Sequence, residues 1–195
     1  AGGVCRHRPA LVRGDDGSDP HRNRHAVGHP KRTDGNAHGH RPSGAVLLSD
    51  PDPKYSLQGG ESLIDGNKGE SNNLMVNWLG FRKNACKVRF SFNKTDSISK
   101  VVLSMANNHG SYIFPPETVI VHGGNDTNHL KPIGRLIPVQ PNKYGKVGNL
   151  AYTVPIKKGK YKYILVEVNP VKSLPQWHSG KKERGWIFVD EVFFY

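Results

Sequence analysis

The chain has 195 residues, enough for one domain with a proper core and too few for two comfortable ones. Hydrophobic residues make up 35% and charged residues 23%, with 28 Lys and Arg against 16 acids. Two cysteines, Cys5 and Cys86, are too few for a disulfide scaffold, and no apolar run approaches bilayer length. The net charge of +12 favours contact with anionic surfaces but says nothing of fold.

In chain order, residues 1–45 come first. They hold no Phe, Trp, Tyr, Ile or Met and one Leu, Leu11, among 8 Lys and Arg and 4 acids. Such a stretch buries too little apolar surface to offset its ordering entropy, so it is predicted to be a disordered or non-native leader. Its six histidines, His7, His21, His25, His29, His38 and His40, would need a helix to align as metal ligands. Gly28, Pro30, Gly35, Gly39 and Pro42 break that helix, and no apolar stripe docks it.

From Pro51 to Tyr195 the chain reads as strands and turns. Over 86–92, Cys86, Val88, Phe90 and Phe92 alternate with Lys87, Arg89 and Ser91, the pattern of a half-buried strand with Cys86 as an inert core thiol. Further strands are predicted at 98–105, 118–122, 150–154, 161–168 and 186–194, all rich in β-branched or aromatic residues. Turn-rich spacers at 107–110, 123–128, 141–148 and 157–159 separate them, and almost nothing carries a helical period. The expectation is an all-β antiparallel sandwich over 51–195 with its binding residues in the loops at its ends.

Three groups of residues bear on chemistry. Residues 62–70 read S-L-I-D-G-N-K-G-E, a tight turn in which Asp65 and Asn67 can aim oxygens at one point, as a hard cation needs, though Asp-Gly-Asn is also an ordinary turn. Trp177 and His178 pair an aromatic plane with a polar ring, as sugar recognition requires. Arg82 and Tyr112 extend that group, while Trp78 and Trp186 read as packing under loops. The acids Asp190 and Glu191 would flank a bond only if their strand bulged. On a regular strand they diverge, which leaves one acid to face the Asp65 turn. Lys157, Lys158, Lys160 and Lys162, with Lys181, Lys182 and Arg184, form two basic clusters, but the tyrosines between them alternate inward, against nucleic-acid binding.

Read together, G-G-E-S-L-I-D-G-N-K-G from Gly59, N-W-L-G-F from Asn77, G-S-Y-I-F-P-P from Gly110, and L-P-Q-W-H-S-G followed by G-W-I-F-V-D-E-V from Leu174 carry a resemblance. They resemble the discoidin-like (coagulation factor 5/8 type C), galactose-binding-like fold. Within it, they are similar to the C-terminal module of bacterial family-20 β-N-acetylhexosaminidases. The resemblance implies an eight-stranded jelly-roll sandwich and a structural calcium near the Leu63 carbonyl, Asp65, Asn67 and Glu191. It also implies a glycan site in the loops at one end, and a secreted, periplasmic or cell-surface location. The expected role is a monomeric carbohydrate-binding accessory module with no catalytic residues of its own, partnered by a glycan or by the parent hydrolase domain. The alternatives are a purely structural bracing domain and a basic module for nucleic acid or sulfated polymers. The sequence departs from the family pattern at 74–77, at Tyr112, where a Trp is common, and in the charged insert at 181–184.

Overall fold

The computed structural model describes residues 39–56, 59–94 and 97–195, so Cys5 and the leader histidines up to His38 lie outside the described residues. Among the described residues are nine strands: β1 Gly44–Leu47, β2 Leu79–Phe81, β3 Cys86–Ser91, β4 Ser97–Asn107, β5 Thr118–Gly124, β6 Lys131–Leu136, β7 Gly148–Lys160, β8 Tyr163–Asn169 and β9 Ile187–Phe194. Hydrogen bonding orders them β1-β3-β8-β5-β6-β7-β4-β9-β2, with antiparallel ladders throughout.

β6 and β7 are joined by a single pair, Gly134 opposite Ile156. Here the backbones approach so closely that a Cβ on residue 134 would lie 2.6 Å from both Ile156 Cγ2 and the Pro155 carbonyl, so only glycine fits. The sheet turns over at this point, and its five-stranded and four-stranded halves close on one core. Val88 and Phe90 of β3, Val119 and Val121 of β5 and Val166 of β8 meet Val101 and Leu103 of β4 and Val189 and Phe194 of β9. The Phe90 and Phe194 rings cross edge to face at 4.8 Å. This is the predicted all-β antiparallel sandwich, with nine strands where the resemblance implied eight.

β3 alternates buried and half-buried along its whole length, as predicted, and burial pushes the Cys86 thiol up to about 12. Three strands were not predicted. β1 corrects the expected boundaries, since residues 39–45, assigned to the leader, belong to the sandwich. The His40 N–H donates to the Phe194 carbonyl, Ser43 N–H to Ser91, and Ala45 is buried with its N–H on Glu61 Oε1 at 2.9 Å. A four-residue edge strand carries too little apolar sequence to announce itself inside a polar stretch. β6 is masked by Pro132 and Gly134, and β2 by its shortness.

Candidate functional site

Three connections, residues 108–117 between β4 and β5, 137–147 between β6 and β7, and 170–186 between β8 and β9, meet around a group of rings. His178 lies at its centre, with Tyr112 at 5.0 Å, Phe114 and Tyr144 at 5.3 Å and Trp177 at 5.6 Å between ring centroids. Expected as a ligand contact, it is instead 2% exposed with both ring nitrogens engaged. Nε2 lies 2.7 Å from the His109 carbonyl, and Nδ1 accepts the Gly180 N–H at 2.9 Å. Both bonds suit the neutral imidazole with its proton on Nε2. The tight His-Ser-Gly turn folds the ring inward, and Gly180 packs so closely on the Tyr112 ring that a Cβ would overlap it. His178 therefore braces the loops, with neither ring nitrogen left free to bond a ligand.

The other three expected contacts adjoin it. Trp177 is half-buried against Phe114, Val171 and Leu174, and its Nε1 donates to the Pro141 carbonyl at 3.1 Å. Tyr112, in the left-handed region at φ 66°, is half-buried between His178 and Arg82, whose guanidinium lies 5.8 Å over its ring and 5.6 Å over that of Trp186. Arg82 is also tied down, with Nη2 on Glu183 Oε2 at 2.7 Å and Nε on the Arg184 carbonyl at 3.1 Å. The sequence thus names four residues that the fold brings side by side, and only Trp177 and Tyr112 keep ring surface uncommitted.

Sequence reasoning missed Tyr144 and His109. Tyr144 is 51% exposed, perpendicular to Trp177 at 5.0 Å, and hydrogen bonds from Ser179 draw its hydroxyl below the usual phenol range. Its signal was an aromatic ring inside the turn-rich spacer 141–148. His109 Nδ1 accepts the Gly145 N–H at 3.0 Å. Burial holds its pKa below the ordinary histidine value, against a hydrogen bond to the Lys143 carbonyl that raises it, and nearby His178 adds to the lowering. Trp78 and Trp186, read as packing, lie together in a second cluster, with Trp78 buried and its Nε1 on the Glu70 carbonyl at 3.0 Å.

The turn at 65–69 is built by β9. The register between β4 and β9 slips by one residue, with Ser104 opposite Glu191 and Met105 opposite Val189, so Asp190 is the extra residue of a bulge. The expected divergence of the two acids is therefore corrected: both address the same turn. Glu191 Oε1 accepts the Gly66 N–H at 2.6 Å, and Asp190 Oδ2 accepts the Gly69 N–H at 2.9 Å. Burial first, opposed by the Gly66 bond, and then the neighbouring Asp65 carboxyl push Glu191 up to about 7. Asp65 and Glu191 bring two carboxyl groups within hydrogen-bonding reach, the kind of oxygen donor a hard cation takes, and Asn67 lies on the same turn. Among the described residues, no group of three or more His, Cys, Asp or Glu is placed to hold a metal, so a cation here would rely on carbonyl and amide oxygens as well.

No protein-family model and no curated protein matches the chain. Among solved structures, CBM32-3 from a family 31 glycoside hydrolase of Clostridium perfringens superposes with a TM-score of 0.51 over 80% of this chain and 94% of that one, at 11% identity. The fold is discoidin-like and galactose-binding-like. The C-terminal domain of a chitobiase from Bacteroides fragilis follows at 0.48, 15% identity, 80% of this chain and 96% of that one. A CBM32 from Clostridium perfringens in complex with GalNAc-β-1,3-galactose follows at 0.47, 13% identity, 78% and 94%. Identities this low speak to fold alone. Among the described residues, no helix is long and apolar enough to cross a membrane.

Proposed function

We propose that this chain is a non-catalytic carbohydrate-binding module whose ligand lies on the Tyr144 and Trp177 end of the sandwich. The observation that carries this reading is Tyr144, an exposed ring held at a fixed attitude by Trp177 and Ser179. A pyranose has one apolar face, which a fixed aromatic plane covers without further ordering entropy. The two histidines beside it are committed to loop bonds, and the paired acids to backbone N–H groups, so the arrangement favours holding over turnover. That the superposable structures include carbohydrate-binding modules supports the same reading.

The motif resemblance supports the finer statement that the module accompanies a secreted β-N-acetylhexosaminidase-type glycoside hydrolase, tethering it to substrate so that weak single-site affinity suffices. We also propose a structural calcium held by Asp65 and Glu191 with the Leu63 carbonyl and Asn67, which would pin the 65–69 turn to β9. A bracing domain is the second reading, favoured by the burial of His178 and the ion pair that occupies Arg82. A glycan array probed with the full chain at low and at 0.5 M salt decides between them. Retention of neutral glycans at both salts is expected. Retention of nothing would leave the bracing role, and retention that salt abolishes would point to polyanion binding through the lysines.

A further inference from the structure

Between the end of β4 and the β6–β7 connection lies a cleft of about 380 Å³, lined by Asn107, His109, Pro115, Val139, Gln140 and Leu150 among others. We propose that this cleft is a subsite for one uncharged, hydroxyl-bearing sugar unit, with Asn107 Oδ1 accepting a hydrogen bond from a ligand hydroxyl. The proposal rests on the carbohydrate-binding reading above and deepens it by naming the ligand class and the atom that reads it.

Asn107 is 7% exposed, and its Nδ2 donates to the Lys146 carbonyl at 2.7 Å. A carbonyl can only accept, so this bond fixes which end of the amide is which and leaves Oδ1 facing away from Lys146. Oδ1 has no hydrogen-bond partner in the protein. A buried carbonyl without a donor is unfavourable, and a ligand O–H or N–H reaching it from the cleft that Asn107 lines would satisfy it.

The remaining lining says what else that group must be. Val139 is 92% exposed and Leu150 44%, and they present apolar surface that suits the C–H face of a sugar. Gln140 spends Nε2 on the Pro115 and Pro116 carbonyls and is left with an acceptor oxygen. No lining side chain is an acid, a lysine or an arginine, although the chain carries a net +12. His109 is neutral here, because its Nδ1 lone pair holds the Gly145 N–H. The cleft thus offers acceptors and apolar walls without charge, which selects a neutral donor-rich ligand over a uronate or a sulfate. Its shape exists before binding, since Trp177 fixes Pro141 and His109 fixes Gly145.

The test titrates the full chain with a neutral oligosaccharide retained on the array, its monodeoxy analogues and its sulfated form. The proteins are wild type, Asn107→Ala and Leu150→Arg, with thermal unfolding as control. One monodeoxy analogue is expected to bind wild type about tenfold more weakly than the parent sugar, while Asn107→Ala binds the two alike. Leu150→Arg, at a position that is 44% exposed and where the variant is expected to fold, should lose at least tenfold for every ligand, and sulfation should bring no gain. An Asn107→Ala protein that keeps the wild-type hydroxyl profile would mean that Oδ1 is served only by a resident water, and overturns the proposal. So would wild-type affinity in Leu150→Arg, which decides the matter even if Asn107→Ala does not fold. Either result, with binding still lost in Tyr144→Ala, removes this subsite and leaves the module's function standing. A wild type that retains no glycan takes down both.

Discussion

Replacing Tyr144 by Ala separates holding a ligand from holding the fold. A tyrosine side chain offers roughly 200 Å² in all, and 51% exposure leaves about half of it open to a ligand. A sugar covering roughly 80 Å² of that ring at about 25 cal/mol per Å² corresponds to roughly thirtyfold in Kd. Stability changes little, because the ring stands perpendicular to Trp177 and tilted to His178 at the surface, and its hydroxyl bonds to Ser179 are solvent-exposed. Isothermal titration with a glycan retained on the array, alongside thermal unfolding, measures both. The expected outcome is a Kd about thirtyfold weaker with a Tm within a few degrees of wild type. An unchanged Kd would show that the ligand does not use this face, and the carbohydrate site would have to be sought elsewhere.

Three further outcomes concern two titrating groups and one edge strand. His109 is neutral in the folded state and burial depresses its pKa, so the stability it lends the 143–145 segment is full above about pH 6.5 and is lost as pH falls through its lower folded value. Ligand affinity is expected to be flat above pH 7 and to decline on the acid side, with no such limb in His109→Gln. Glu191 is raised to about 7 from 4.5, so without metal the folded state loses stability as pH rises across that window, by up to about 3 kcal/mol. Millimolar calcium is expected to raise Tm more at pH 8 than at pH 5, and not at all in Asp65→Asn; an equal rise in that variant would count against the site. Glu61→Ala leaves the buried Ala45 N–H without its acceptor, at about 1–2 kcal/mol, and hydrogen exchange should quicken first in β1.

What could be read from the sequence was what one chain segment decides for itself. The β3 alternation is written in period two because one face of that strand packs on the core and the other meets water. The separate motifs around Arg82, Tyr112 and Trp177 likewise pointed to one place, and the fold assembles them there. The failures at the site concern a second segment. His178 beside Trp177 has the composition of a recognition pair, but its burial is set by His109 and Tyr112, more than sixty positions earlier in the chain. Asp190 and Glu191 diverge on a regular strand, and nothing in W-I-F-V-D-E-V discloses that β4 pairs past Asp190 and throws it into a bulge. Asn107 ends a strand like any other, and its orphaned oxygen exists only because Lys146 takes the amide nitrogen.

The same long-range bonds explain why a small sandwich can present a fixed ligand surface on loops. Each bond joins two different connections: His178 to the His109 carbonyl, His109 to Gly145, and Trp177 to Pro141. Together they close a cycle through residues 108–117, 137–147 and 170–186, so no one connection can move without breaking a bond to another. All three bonds are at least partly shielded from water, where a lost partner is expensive. The exposed ring of Tyr144 and the cleft at Asn107 are both attached to that cycle, which orders them before any ligand arrives. A module that bound its ligand weakly, as proposed, would gain most from such preorganisation, because the entropy of ordering its loops is already spent in folding.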